Sequence, residues 1–122
     1  MDNTLDLLLR MDVLEPQTAE YRVKRLSKVC GQDVIFTLRE LTYSKVCEIK
    51  RMNLDDLGVH TVLAGVISPD FKNQELLQKY GAATPAELVK KMLRPGEIED
   101  ISRAIERLCG YREDVIEEIK KN

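Results

Sequence analysis

The sequence predicts an α+β fold: an N-terminal β-hairpin packed against a mostly α-helical bundle of about five helices. Three observations lead there. Period-two alternation of apolar and polar residues is confined to one stretch, "YRVKRLSKVCGQDVIFTLREL", starting at Tyr21. Beyond it apolar residues recur at spacings of three and four, the period of a helix face. Several of those later stretches also carry the Ser/Thr, Pro and Gly punctuation that starts and stops helices.

Residues 1–18 read as an amphipathic leader, with Leu5, Leu8 and Leu9 on one helical face and Pro16 closing it. This leader either packs on its own domain or serves as an arm for a partner. Residues 19–122 read as one domain. In its opening stretch Tyr21 and Val23 alternate with Arg22 and Lys24, and Val34, Phe36 and Leu38 alternate with Ile35, Thr37 and Arg39. With "SKVCGQD" between them as a turn, the two runs form a hairpin, and its apolar side needs a cover. The helices that follow are the natural cover.

The first of these is "TYSKVCEIKRM", with Tyr43, Val46 and Ile49 three apart. "LGVHTVLAGVI" fits a helix or a buried strand, and helix is favoured. "SPDFKNQELLQKYG" reads as a helix with Ser68 as N-cap, Pro69 in the first turn and Gly81 past the end. "TPAELVKKML" has Thr84 as N-cap, Pro85 at the first position and Glu87 three residues after the cap, a capping box. It puts Leu88, Val89, Met92 and Leu93 on one face. "EIEDISRAIERLCG" aligns Ile98, Ile101, Ile105 and Leu108, with Glu99 and Arg103 as an outer i,i+4 pair. "EDVIEEIKKN" reads as a short last helix with Val115, Ile116 and Ile119 apolar. Between Met92 and Ile98 stands "LRPGE". Pro95 disfavours helix at Arg94, and Glu97, Glu99 and Asp100 would repel an anion from the next helix start. The Pro-Gly pair is therefore a joint between helices, not a phosphate cradle.

The residues alone name no reaction, and the chain reads as a non-enzyme. His60 is the one histidine and has no sequence partner to make a base–nucleophile set. Asp55–Asp56 and Glu117–Glu118 are adjacent in sequence, so each pair splits around its element. Three widely spaced cysteines, Cys30, Cys47 and Cys109, with no CxxC, give no zinc pattern and point to a reducing cytoplasm. No metal and no cofactor is expected. The longest apolar run, "LDLLLRMDVL", is too short and too charged to span a bilayer.

The net charge of -2 gives no general attraction to nucleic acid. It is unevenly spread. The stretch from Arg22 to Arg51 holds eight Lys/Arg against Asp33, Glu40 and Glu48, while Glu97 to Ile119 holds eight acids against Arg103, Arg107 and Arg112. Such asymmetry suits head-to-tail packing of copies or docking of a partner, and it also suits two plain solvated faces. Arg22, Lys24 and Arg25 could touch phosphates, but Tyr21 is the one aromatic beside them, so nucleic-acid binding is the weaker class.

Read together, "YRVKRLSKVCGQDVIFTLRELT" and "GVISPDFKNQELLQKYGAATPAELVKKMLRPGEIEDISRAIERLCGY" resemble the XkdN-like tail assembly chaperones of phages and prophages. Ser68-Pro69-Asp70, Leu76-Leu77, Thr84-Pro85, Pro95-Gly96-Glu97-Ile98 and Cys109-Gly110-Tyr111 fall where that family's recurring features fall. Cys109 departs from the family, where a small polar residue is more familiar. The resemblance runs over residues 4–112 and contains no active-site motif. It implies a non-catalytic chaperone that binds the tape measure protein, helps tail tube protein polymerise, works in the bacterial cytoplasm and is absent from the mature virion. Self-association is a further possibility. The residues expected to meet a partner are Leu5, Leu8 and Leu9 on the leader and Arg22, Lys24 and Arg25 on the hairpin. The alternatives are a small nucleic-acid-binding regulator using the basic hairpin and a structural connector retained in the virion. Lys120-Lys121-Asn122 can be encoded by a slippery run of adenines, so a frameshift there would make this chain the shorter of two products; otherwise it is a plain solubilising tail.

Overall fold

Phe36 and Leu38 point to one side of a central strand, and most of the molecule is arranged to cover them. The structure, a computed structural model, describes residues 3–51 and 54–119. In chain order it runs α1 (Asn3–Arg10), β1 (Thr18–Arg22), α2 (Lys24–Cys30), β2 (Ile35–Arg39), α3 (Tyr43–Lys50), α4 (Leu57–Gly65), β3 (Val66–Ser68), α5 (Gln74–Tyr80), α6 (Pro85–Met92) and α7 (Pro95–Leu108). A 3-10 turn, Leu54–Asp56, leads into α4. The three strands form one antiparallel sheet in the order β1-β2-β3. The fold is α+β, with more helices than the sequence suggests and a third strand at the end of the stretch that the sequence leaves open between helix and strand.

The hairpin is the first correction. β1 and β2 do pair antiparallel, with Tyr21 opposite Phe36 and Arg22 opposite Ile35. Their connection, however, is the helix α2 and not a turn. The seven residues from Lys24 to Cys30 are too many for a tight hairpin loop and enough for two helical turns. Gly31, at φ 71°, ends the helix in the left-handed conformation that glycine adopts freely. Ser27 Oγ then accepts from the Val34 N–H at 2.8 Å, closing the far end of the loop. The glycine signal was a helix C-terminus and not a turn centre. Cover is also uneven: Phe36, Leu38 and Val23 are buried, but β1 is an edge strand on which Tyr21 stays exposed.

The stretch from Leu57 to Ser68 is both helix and strand: α4 stops at Gly65, and Val66–Ser68 pairs with β2 across a bulge at Thr37/Leu38. Ser68 therefore belongs to a strand, followed by a cis Ser68–Pro69 bond, and is not a helix cap. Asn73 takes that role, its side chain accepting from the Leu76 N–H at 3.0 Å, and Gly81 closes α5 at φ 60°. Thr42 and Thr84 cap α3 and α6, accepting from the Lys45 and Glu87 N–H groups, both at 3.1 Å. Glu87 reaches back to the Ala83 N–H at 2.8 Å, one residue earlier than the usual reciprocal partner. Pro95 opens α7, and its turn from α6 is the joint expected from the Pro-Gly pair.

Phe36, Leu38, Val62, Leu88, Val89 and Ile105 are fully buried and join strand β2 to α4, α6 and α7. Phe71 meets Phe36 edge-on with ring centroids 6.0 Å apart. α4 lies against α7 through two glycines. Ile98 Cγ2 would be 3.5 Å from a Cβ on Gly58, and Ile105 closes on Gly65, so each isoleucine meets a glycine seven residues further along than the last. That repeat, two helical turns on both elements, lets the helices run alongside each other at close range.

The last predicted helix is the second correction. Asp114–Ile119 has no regular structure, and Val115, Ile116 and Ile119 are exposed. A segment this short does not hold a helix without something to pack on. Lys120–Asn122 lie outside the described residues.

Candidate partner-binding surface

α1 buries none of its residues. Leu5, Leu8 and Leu9, expected on one face, are 53%, 59% and 73% exposed, and Leu7 joins them. Past the helix, Met11, Val13 and Leu14 continue the apolar surface. Eight residues form only a marginal helix in water on their own account. Its polar support is local: Arg10 Nε donates to the Asp6 carbonyl at 3.4 Å, and the ends carry Asp6 and Arg10 in the order the helix dipole favours. These large apolar side chains are left without cover by the described residues.

The three basic residues expected at the hairpin sit in three different situations. Arg22 ends β1 and lies 3.6 Å from Asp33, both exposed. Lys24 opens α2 and faces solvent. Arg25 is turned inward. Its Nε and Nη2 donate to the two oxygens of Glu97 at 3.0 and 2.8 Å, and Nη2 also donates to the Met92 carbonyl at 2.9 Å. Glu97 Oε1 accepts in addition from the Arg94 N–H at 2.7 Å, at the position where Arg94 has no side-chain oxygen of its own to cap α7. The bond from Arg25 chiefly holds the Glu97 carboxyl below the usual carboxylate range; burial opposes this, and the Arg94 N–H adds to it. One guanidinium thus ties α2 to the α6–α7 joint. This pairing spans 72 positions, and sequence spacing had no signal for it.

Two concave surfaces flank α7. One, of about 260 Å³, lies between α3, α4 and α7 and is walled by Leu41, Val46, Ile49, Leu57 and Ile105. Tyr111 closes its end beneath the Lys50 ammonium, 5.6 Å from the ring centroid. Cys109 Sγ sits at its edge and accepts from the Leu41 N–H at 3.2 Å, so this cysteine anchors the strand-to-α3 connection. The other, of about 600 Å³, lies between β1, α2 and α7. His60 is half-buried on α4, and no group of three or more His, Cys, Asp or Glu side chains among the described residues could hold a metal ion.

Among the described residues no helix is long and apolar enough to cross a membrane. Fold and surface together define a small α+β protein with uncovered apolar side chains on α1. The chain matches, over residues 5–120, the family model of the phage XkdN-like tail assembly chaperone proteins, and it belongs to that family. Among solved structures it is similar to the crystal structure of the protein YqbN, a Northeast Structural Genomics Consortium target, with a TM-score of 0.66. The two are 20% identical, and the match covers 81% of this chain and 89% of that one. At that identity the likeness shows the fold. No curated protein matches the chain.

Proposed function

We propose that this tail assembly chaperone binds the tape measure protein, keeps it soluble and assists tail tube protein in assembling around it. It acts by contact and not by catalysis, in the bacterial cytoplasm, and leaves before the virion is complete. Family membership supports the setting. The observation that carries the mechanism is α1: a leucine-faced helix without a single buried residue, next to a core that is otherwise well covered. An extended helical client offers the apolar stripe that such a face accepts. Leu5, Leu8 and Leu9 make the contact, and Arg22 and Lys24 steer a client carrying acidic residues, with Arg25 holding the surface in shape.

The test is co-expression with the tape measure protein encoded nearby, followed by a pull-down with a salt series and a nucleic-acid control. Retention that keeps the tape measure soluble, and is lost on Leu5→Ser, Leu8→Ser and Leu9→Ser together, is the expected result. Retention unchanged by that triple substitution removes α1 from the mechanism. A nucleic-acid-binding regulator has less support here, because Arg25 is committed to Glu97 and Arg22 faces Asp33. Salt-sensitive binding to duplex DNA with no hold on the tape measure would reverse that judgement.

A further inference from the structure

The inner face of the sheet is wider than its helical cover. Phe36 and Leu38 of β2 are buried, and their partners across the ladder, Tyr21 and Ala19, share that face. Yet Tyr21 is 39% exposed, because the cleft of about 600 Å³ lies between β1 and α7. Val23, Ile101 and Ala104 give this cleft an apolar floor. Lys24, Arg103 and Arg107 stand around it. Arg103 is held by Glu99, but Lys24 and Arg107 form no ion pair among the described residues. Of the acids on the wall, Glu97 is taken by Arg25, which leaves Asp100.

The backbone beside the cleft is open as well. β1 is an edge strand, paired with β2 on one side only. The Val23 N–H donates to the Val34 carbonyl at 3.0 Å, and the Gln17 carbonyl accepts from the Glu40 N–H at 2.9 Å. Along a strand the N–H and C=O of alternate residues turn to the same side. Gln17, Ala19, Tyr21 and Val23 therefore face β2, and Thr18, Glu20 and Arg22 turn their N–H and C=O groups outward. No backbone bond to those outward groups forms among the described residues. Such a row of unmet donors and acceptors is a template for a further extended backbone.

We propose that an extended segment of another protein, apolar and acidic in composition, adds to β1 as a fourth strand and lays its inward side chains in the cleft. Every second residue of the segment reaches inward. An apolar residue in the middle meets Ile101, Ala104 and the ring of Tyr21, and acids two places to either side meet Lys24 and Arg107. Main-chain bonds to Thr18, Glu20 and Arg22 supply affinity, and the cleft supplies selectivity. A nucleic acid would offer phosphates to the rim but no backbone that matches the strand edge. A second β1, antiparallel and centred on Glu20, would set two like charges opposite each other. The occupant is therefore a foreign strand. It differs from the helical stripe assigned to α1, so this inference stands apart from that contact and from the choice of client.

The test is fluorescence anisotropy on the full chain with a set of labelled synthetic peptides of about nine residues, in which Thr alternates with Asp, Glu, Ile or Val. Peptides with an apolar residue between acids bind, and versions with Lys for the acids bind about tenfold more weakly or worse. Lys24→Glu with Arg107→Glu reverses that order. Glu20→Pro removes one outward N–H and leaves the bonds to β2 in place, so it weakens binding about tenfold, whereas Glu20→Thr does not. Glu20, Lys24 and Arg107 are exposed, so circular dichroism shows every variant folded. N-methyl groups on one alternate set of peptide residues abolish binding, and on the other set leave it nearly unchanged, as strand addition requires. The proposal is overturned if no peptide of the set binds, if both N-methyl sets act alike, or if Glu20→Pro binds as the wild type does. Loss of peptide binding as protein concentration rises would give the edge to a second copy. Binding of duplex DNA through Lys24 and Arg107, with no peptide bound, would give the cleft to nucleic acid. Either result also overturns it.

Discussion

Replacing Gly65 by alanine should destabilise the protein, while the same change at Gly58 should not. Both glycines lie on the α4 face that meets α7, so the pair makes its own control. A Cβ at Gly58 would lie 3.5 Å from Ile98 Cγ2, an ordinary contact, and alanine is the better helix former by about 0.5–1 kcal/mol. Gly58→Ala should therefore be neutral or mildly stabilising. A Cβ at Gly65 would lie 2.5 Å from Ile105 Cδ1 and 2.8 Å from both Cγ1 and Cγ2. Rotating Ile105 gives no escape, since a β-branched side chain in a helix has one strongly preferred χ1 and turning one γ carbon away brings the other in. Ile105 is fully buried, so backbone must move, at a cost of about 1–3 kcal/mol. Ile105→Ala alone should cost about 2–5 kcal/mol through the cavity it opens. In that background the added methyl occupies empty space, so Gly65→Ala should be harmless or helpful. Urea unfolding followed by circular dichroism on the four proteins of this cycle gives the coupling, expected at about 1 kcal/mol or more. If Gly65→Ala costs no more than Gly58→Ala, or costs the same with and without Ile105, the close α4–α7 contact is not what holds these helices together.

Three further outcomes are expected. Glu97→Gln should lower the melting temperature at neutral pH; because the folded carboxyl titrates below its usual range, its stabilisation is complete above that range and disappears as pH falls through the folded value, so the wild-type advantage should shrink below about pH 4. A pH series that shows a constant difference down to strong acid would contradict this. Thr84→Ala should cost about 1 kcal/mol by removing the acceptor for the Glu87 N–H, read as a shift in the urea midpoint, and Thr84→Ser should recover most of it. The triple serine variant at Leu5, Leu8 and Leu9 should change the unfolding free energy by less than about 0.5 kcal/mol, because α1 buries nothing; a larger loss would mean α1 is part of the core.

What could be read from the sequence was local. Thr84, Pro85 and Glu87 announce a helix start within four residues, and their bonds lie within that span, so no distant contact can change the outcome. Phe36 and Leu38 declared a strand with one buried side through their alternation with Ile35, Thr37 and Arg39, which is a local pattern even though the strand's partners are distant. Gly31 was misread because a glycine in the left-handed conformation serves a turn and a helix end equally well; the choice was made by Leu26, which packs against the core, and by Ser27, which bonds across the loop. β3 is three residues long and offers no period to detect. Arg25 looked like a free cation beside Arg22 and Lys24, and only the folded chain brings Glu97 to it. Glu113–Ile119 has a helical period but no helix, because among the described residues nothing covers Val115, Ile116 and Ile119.

That last mismatch and the bare face of α1 have a common physical form. Each is a short amphipathic segment beside a core fixed by interlocked side chains, and each leaves its leucines, isoleucines and valines in water. Neither is long enough to order itself, so a partner that binds either one must also supply the ordering free energy, which lowers affinity for the area buried. For a protein of the finished particle that would be a defect. On the proposed function it is an advantage, since a chaperone must hold its client through many contacts that can each let go. Two weak sites on one chaperone would bind a long client more firmly than either alone, and would release it step by step as tube subunits take over the same length.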